Sequence, residues 1–183
     1  MKIALPDRAS IRAGPDGGLF YNMPPLPDQV RHEFAALALG YYASGRMALR
    51  ARVGPLAASH ILHHAVEFVL KASLARHTTL SDMKKFGHRL PDLFESAASR
   101  SAELRSVEHQ ATAALLHTLW ESRFPDRIVA AAEGQVLELA PVDRLFCAGL
   151  RAAGLNPAAF MGRLGPDAVQ AVRVENAERE FFG

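Results

Sequence analysis

The sequence predicts an all-α protein. It is a compact bundle of four to five helices, preceded by an irregular N-terminal arm and carrying a small β-hairpin near residues 128–140. Three observations predict this. Apolar residues recur at helical spacing through most of residues 28–153, and Gly or Pro marks the breaks between the periodic segments. One segment is apolar around most of its circumference, as the central helix of a bundle must be. The composition is that of one ordinary globular domain: 183 residues, 49% hydrophobic and 22% charged.

Residues 1–27 read as the arm. Gly14-Pro15-Asp16-Gly17-Gly18 is a turn cluster and Pro24-Pro25-Leu26-Pro27 is stiff and extended. Leu19, Phe20, Tyr21 and Met23 between them are apolar enough to pack on the body or on a second subunit. A first helix is predicted from Asp28, a plausible N-cap, to about Arg50, with Val30, Phe34, Leu37, Ala38 and Tyr41 as its inward stripe. Gly40 and Gly45 weaken it, or let another helix approach closely.

Gly54-Pro55 ends that helix and opens the next, since proline costs no hydrogen bond in a first turn. The second helix, 56–77, is the apolar one. Ser81 reads as the cap of a short helix to Lys85, broken at Gly87-His88. A helix over 91–100 follows. A longer one over 102–122 has Leu104, Val107, Ala111, Leu115, Leu119 and Ser122 as a heptad-like seam. Val136-Leu137-Glu138-Leu139 reads as the second strand of the hairpin. A last bundle helix runs over 141–153. Beyond Gly154, residues 154–183 form an extension that packs on the bundle or a dimer, with a short helix over 157–164 and either helix or strand over 166–180.

Several function classes fall away. One cysteine excludes an internal disulfide framework and a Cys-rich zinc site, and Cys147 reads as a buried small hydrophobe. No apolar run is long enough to cross a bilayer, and the N-terminus breaks after three apolar residues, so neither membrane nor signal peptide is expected. A reduced, cytoplasmic setting is the expectation. No phosphate-binding glycine loop, dinucleotide motif or nucleophile elbow occurs, and no cofactor is expected. Net charge is only +2, but residues 1–90 sum to +6 and residues 91–183 to −4. Arg46, Arg50 and Arg52 fall in an acid-free window. They either form a patch for a phosphate or acidic partner, or belong to two halves that attract each other.

One polar stripe crosses the apolar helix: His60, His64, Glu67 and Lys71, at i, i+4, i+7 and i+11, with His63 at its edge. Glu67 and Lys71 form an i,i+4 pair in the favourable order. On a central helix these charges must be paired, hydrated or bound to a ligand. They make either a self-satisfied face or a groove site. His60 and His64 have zinc-compatible spacing with Glu67 as an oxygen donor, but the metalloprotease order of ligands and base is absent and no metal is expected. His88 follows a glycine at a helix junction made cationic by Lys84 and Lys85. There it either caps carbonyls or does proton work.

Three segments together carry a family resemblance: His64-Ala65-Val66-Glu67-Phe68-Val69-Leu70-Lys71-Ala72, then Gly87-His88-Arg89-Leu90-Pro91-Asp92-Leu93-Phe94, then Glu121-Ser122-Arg123-Phe124-Pro125-Asp126. In order and spacing they resemble the HEPN family over residues 28–153. The resemblance implies a helical bundle, usually a homodimer, whose members include ribonuclease toxins, partners of nucleotidyltransferases and catalytically silent binding modules. It implies a cleft at Glu67, Lys71, His88 and Arg123, with His64 beside it. Nuclease members carry Arg, four to six residues, then His. Here Arg105 and His109 enclose only Ser106, Val107 and Glu108, and one residue fewer turns the second side chain by about 100° on a helix. The expectation is therefore a non-catalytic dimer that binds a nucleotide, an RNA phosphate or a protein partner. The alternatives are a metal-independent endoribonuclease toxin using Arg105 and His109, and a purely structural dimeric subunit.

Overall fold

The computed structural model describes residues 11–13, 19–21, 28–51, 54–122 and 137–163. Within them the body is all helical. In chain order the elements are β1 (Ile11–Ala13), β2 (Leu19–Tyr21), α1 (Asp28–Arg50), α2 (Pro55–Leu74), α3 (Leu80–Lys85), α4 (Leu90–Ala98), a 3-10 turn (Ala102–Leu104), α5 (Val107–Glu121), α6 (Leu139–Ala152) and α7 (Pro157–Met161).

Helix α2 is the axis of the bundle and packs against α1, α4, α5 and α6. Its Leu62, Ala65, Val66, Val69 and Leu70 are fully buried. They share one core with Ala38 and Tyr42 of α1, Leu93 of α4, Leu116 of α5, and Leu145, Phe146 and Leu150 of α6. Helices α1 and α2 approach closely at Gly45, where an added Cβ would lie 2.7 Å from Leu62. Gly40 makes no such approach and faces outward. Phe160 and Met161 of α7 belong to the same core, so the described part of the C-terminal extension packs on the bundle.

Several expectations need correction. The arm is not wholly irregular. β1 and β2 pair antiparallel, Ile11 opposite Tyr21 and Ala13 opposite Leu19, and strands of three residues are too short to show alternation. Of the hairpin expected near 128–140, residues 128–136 lie outside the described ones. Leu137 and Glu138 form no strand, and Leu139 already opens α6. Leu139 extends the Val142–Leu145–Phe146 stripe back by one turn.

Helix α3 is capped by Thr79 rather than Ser81. The Thr79 hydroxyl accepts from the Asp82 N–H at 3.1 Å and donates to its carboxylate at 2.8 Å. The helix expected over 102–122 is interrupted, because Arg105 and Ser106 leave helical geometry between the 3-10 turn and α5. The interruption shifts the phase of the seam. Leu104, Leu119 and Ser122 of the expected seam are buried, but Val107 is 85% exposed and Ala111 is exposed, and α5 adds Thr112, Ala113 and Leu116 to its buried face.

Of the two readings of the cationic window, Arg46 follows the second. Arg46 is buried and joined to Asp143 of α6 by an ion pair, while the Tyr42 hydroxyl donates to the same carboxylate at 2.5 Å. Burial pushes the Asp143 carboxyl upward despite these donors. Arg46 thus ties the positive half of the chain to the negative half. The side chains of Arg50 and Arg52 lie outside the described residues.

Candidate functional site

The polar side chains of α2 meet the α3–α4 elbow. Gly87 ends α3 with φ +54°, a conformation that glycine adopts without a Cβ penalty. That turn brings the His88 ring back over α2, with its Nδ1 3.0 Å from Oε2 of Glu67. Nδ1 of His64 lies 3.2 Å from the same oxygen. On the other oxygen, Oε1, the Lys71 ammonium donates at 2.5 Å. Lys71 also donates to the Gly87 carbonyl at 3.4 Å, tying the elbow to the helix.

Glu67 is only 1% exposed. Burial alone would raise its pKa, but hydrogen bonds from His64, His88 and Lys71 outweigh it and hold the carboxyl down at about 2. The carboxylate is ionised and accepts only, so both imidazoles must donate through Nδ1. Their Nε2 atoms then carry the remaining capacity of each ring. Exposure rises outward, from 13% for the Lys71 side chain through 30% for His64 to 55% for His88.

A ring cluster surrounds the carboxylate. His63 is fully buried, with Nδ1 4.0 Å from Oε2. Trp120 of α5 stacks on it at 4.8 Å between centroids and 12° between planes, and also lies 5.3 Å from His88. His117 stacks against both His63 and Trp120, at 5.8 and 5.7 Å between centroids. Burial holds His63 near a pKa of 3, against the pull of Glu67, so its ring is neutral. Among the described residues neither ring nitrogen of His63 has a hydrogen-bond partner. On the solvent side Tyr41 of α1 lies 5.6 Å from His64 and stacks on Phe68 at 5.5 Å, and Lys71 Nζ sits 5.8 Å over Phe68.

Four of the residues named from sequence therefore converge: His64, Glu67, Lys71 and His88. Arg123 lies outside the described residues. His60 leaves the cluster, its Nε2 lying 3.1 Å from the Leu119 carbonyl. In the metal-type trio His63 takes its place, and the ligand atoms of His63, His64 and Glu67 all lie within 4.8 Å of one another. Sequence reasoning missed His117 and Trp120, and it set Tyr41 and Leu37 on the inward stripe of α1, whereas both are exposed at the edge of that stripe, Tyr41 beside the site. The i,i+4 spacing of His63 to Glu67 was a usable signal; the α5 residues had none, because helix phase decides which of them face α2.

Arg105 and His109 do not form the pair expected on one helix. Arg105 lies in the break and donates to the carbonyls of Ala98 and Ser99 at 3.1 and 3.3 Å, closing the end of α4. His109 lies in the first turn of α5, half-buried, and burial lowers its pKa. Arg105 instead lines a groove of about 580 Å³ with Phe94, Leu104 and Val107. Comparisons with protein-family models, curated proteins and solved structures found no match to this chain. No helix among the described residues is long and apolar enough to cross a membrane.

Proposed function

We propose that this chain is a non-catalytic binding protein of HEPN type, and that its α2–elbow corner holds a nucleotide or a short stretch of RNA. The carrying observation is that one buried carboxylate, Glu67, gathers Lys71, His64 and His88 beside the exposed ring of Tyr41. A phosphate fits the donors of His88 and Lys71, with Lys84 exposed on the same elbow. A base fits against Tyr41, which is 38% exposed, because every base offers a face for aromatic stacking. Arg123 is a further anion contact on the HEPN pattern. The protein works as a homodimer, a reading supported by the outward Leu37 and Met47 of α1, about half exposed along the Gly40 face. A nucleotidyltransferase-type protein is the partner that the same pattern suggests.

The endoribonuclease alternative is less favoured, since Arg105 lies outside α5 and turns two of its N–H groups to the end of α4. Titration of labelled single-stranded RNA and of ADP, followed by fluorescence anisotropy and calorimetry, tests the binding reading. Tyr41→Ala and His88→Ala change half-exposed side chains and leave the Glu67–Lys71 pair intact. Each is expected to weaken binding about tenfold, the worth of one stacking or charged contact. Equal affinity for wild type and both variants would refute the assignment.

A further inference from the structure

Three imidazole nitrogens point at one carboxylate oxygen. From Oε2 of Glu67 the Nδ1 atoms of His88, His64 and His63 lie at 3.0, 3.2 and 4.0 Å. We propose that this cluster binds one divalent first-row transition-metal ion, with His63, His64, Glu67 and His88 as its ligands.

The spacing suits such an ion. With metal–ligand bonds of about 2.0–2.1 Å, neighbouring ligand atoms of a tetrahedral site stand about 3.3 Å apart. The three separations from Oε2 bracket that edge, and the ligand atoms of His63, His64 and Glu67 all lie within 4.8 Å of one another, so these three form the core of the site and the His88 ring turns in to complete it. His63 supplies an independent sign. It is fully buried, and among the described residues both its ring nitrogens are unpartnered. Buried polar atoms are rarely left so. Ligation through Nδ1 gives one of these two nitrogens a partner.

The two carboxylate oxygens already divide their work. Oε1 takes the Lys71 ammonium, and Oε2 faces the imidazoles. Lys71 thereby acts as an outer-shell donor that fixes the carboxylate, as such partners do in metal sites. Trp120, stacked on His63 and lying against His88, fixes two of the ring planes. Three nitrogens and one oxygen suit Zn²⁺ and its first-row neighbours. They do not suit Mg²⁺ or Ca²⁺, which want oxygen. With neutral imidazoles Glu67 and Lys71 cancel, so an ion would leave the corner strongly positive. The site stands without the RNA reading, although it would strengthen an anion contact there.

The test uses the full chain, stripped with EDTA, dialysed and titrated with ZnCl₂ or CoCl₂ in the absence of nucleotide. One Zn²⁺ per chain should survive gel filtration, and Co²⁺ should give the intense visible bands of a tetrahedral site. His64→Gln and His88→Gln alter partly exposed rings and should fold. Each should weaken Zn²⁺ binding about tenfold or more. His77→Gln, on an exposed turn, should leave it unchanged. Excess Mg²⁺ should not displace the ion. Substoichiometric retention, or Zn²⁺ affinity unaltered by His64→Gln and His88→Gln, would overturn the site. RNA titrated in EDTA separates this failure from failure of the binding reading.

Discussion

Replacing Glu67 by glutamine removes one charge and almost no volume. The wild-type carboxyl is held at about 2 against an ordinary 4.5, and each tenfold change in acidity is worth about 1.4 kcal/mol. The folded state therefore favours ionised Glu67 by about 3 kcal/mol. Its side chain is 2% exposed, so solvent screens little of this. The sign follows from a depressed carboxylate. The contribution is complete above pH 4.5 and is lost as pH falls toward 2. Urea denaturation in EDTA provides the assay, with Trp120, the only tryptophan, reporting from inside the cluster. Glu67→Gln should be about 3 kcal/mol less stable than wild type at pH 7, and the gap should narrow steadily below pH 4.5. A difference under about 0.5 kcal/mol at pH 7, the range of ordinary surface changes, would refute the reasoning. So would a gap that does not depend on pH.

Other variants probe the fold and the elbow. Arg46→Met strands Asp143 in the core and should cost about 3–5 kcal/mol by chemical denaturation, whereas Arg46→Met with Asp143→Asn should cost clearly less. Gly45→Ala drives a Cβ to 2.7 Å from Leu62 and should cost about 1–3 kcal/mol. Gly40→Ala meets nothing within its own chain and should gain about 0.5–1 kcal/mol of helix propensity in the monomer, which thermal melts of the two variants at low protein concentration compare directly. Gly87→Ala forces a side chain into the left-handed region and should cost about 1–2 kcal/mol, with weaker RNA binding because His88 is displaced. Purified protein should leave total RNA intact on gels, and Arg105→Ala should not change that result.

Much of this fold was legible from residue spacing. The bounds of α1 and the start of α2 follow from Asp28 and Gly54-Pro55, and the polar line through α2 was visible because its surroundings are so apolar. The Gly87-His88 elbow was legible because glycine there permits a turn that other residues resist. What was not legible depends on tertiary phase. No glycine or proline announces the break at Arg105-Ser106, yet it turns Val107 outward and brings Leu116 and Trp120 toward α2. Which of the two readings of Arg46 holds was not legible, because its neutralising partner, Asp143, lies on a helix far along the chain. His60 stands four residues before His64 and His63 four before Glu67, so spacing offers both as ligands and does not choose between them. Contact with the Leu119 carbonyl removes one, and burial against Trp120 retains the other.

Long-range ¹H–¹⁵N NMR of the histidine rings, in metal-free protein near neutral pH, tests most directly whether Glu67 organises the site. His64 and His88 should show the tautomer protonated at Nδ1, and Glu67→Gln should shift both rings away from it. Rings protonated at Nε2 in the wild type, or spectra that Glu67→Gln leaves unchanged, would contradict the account.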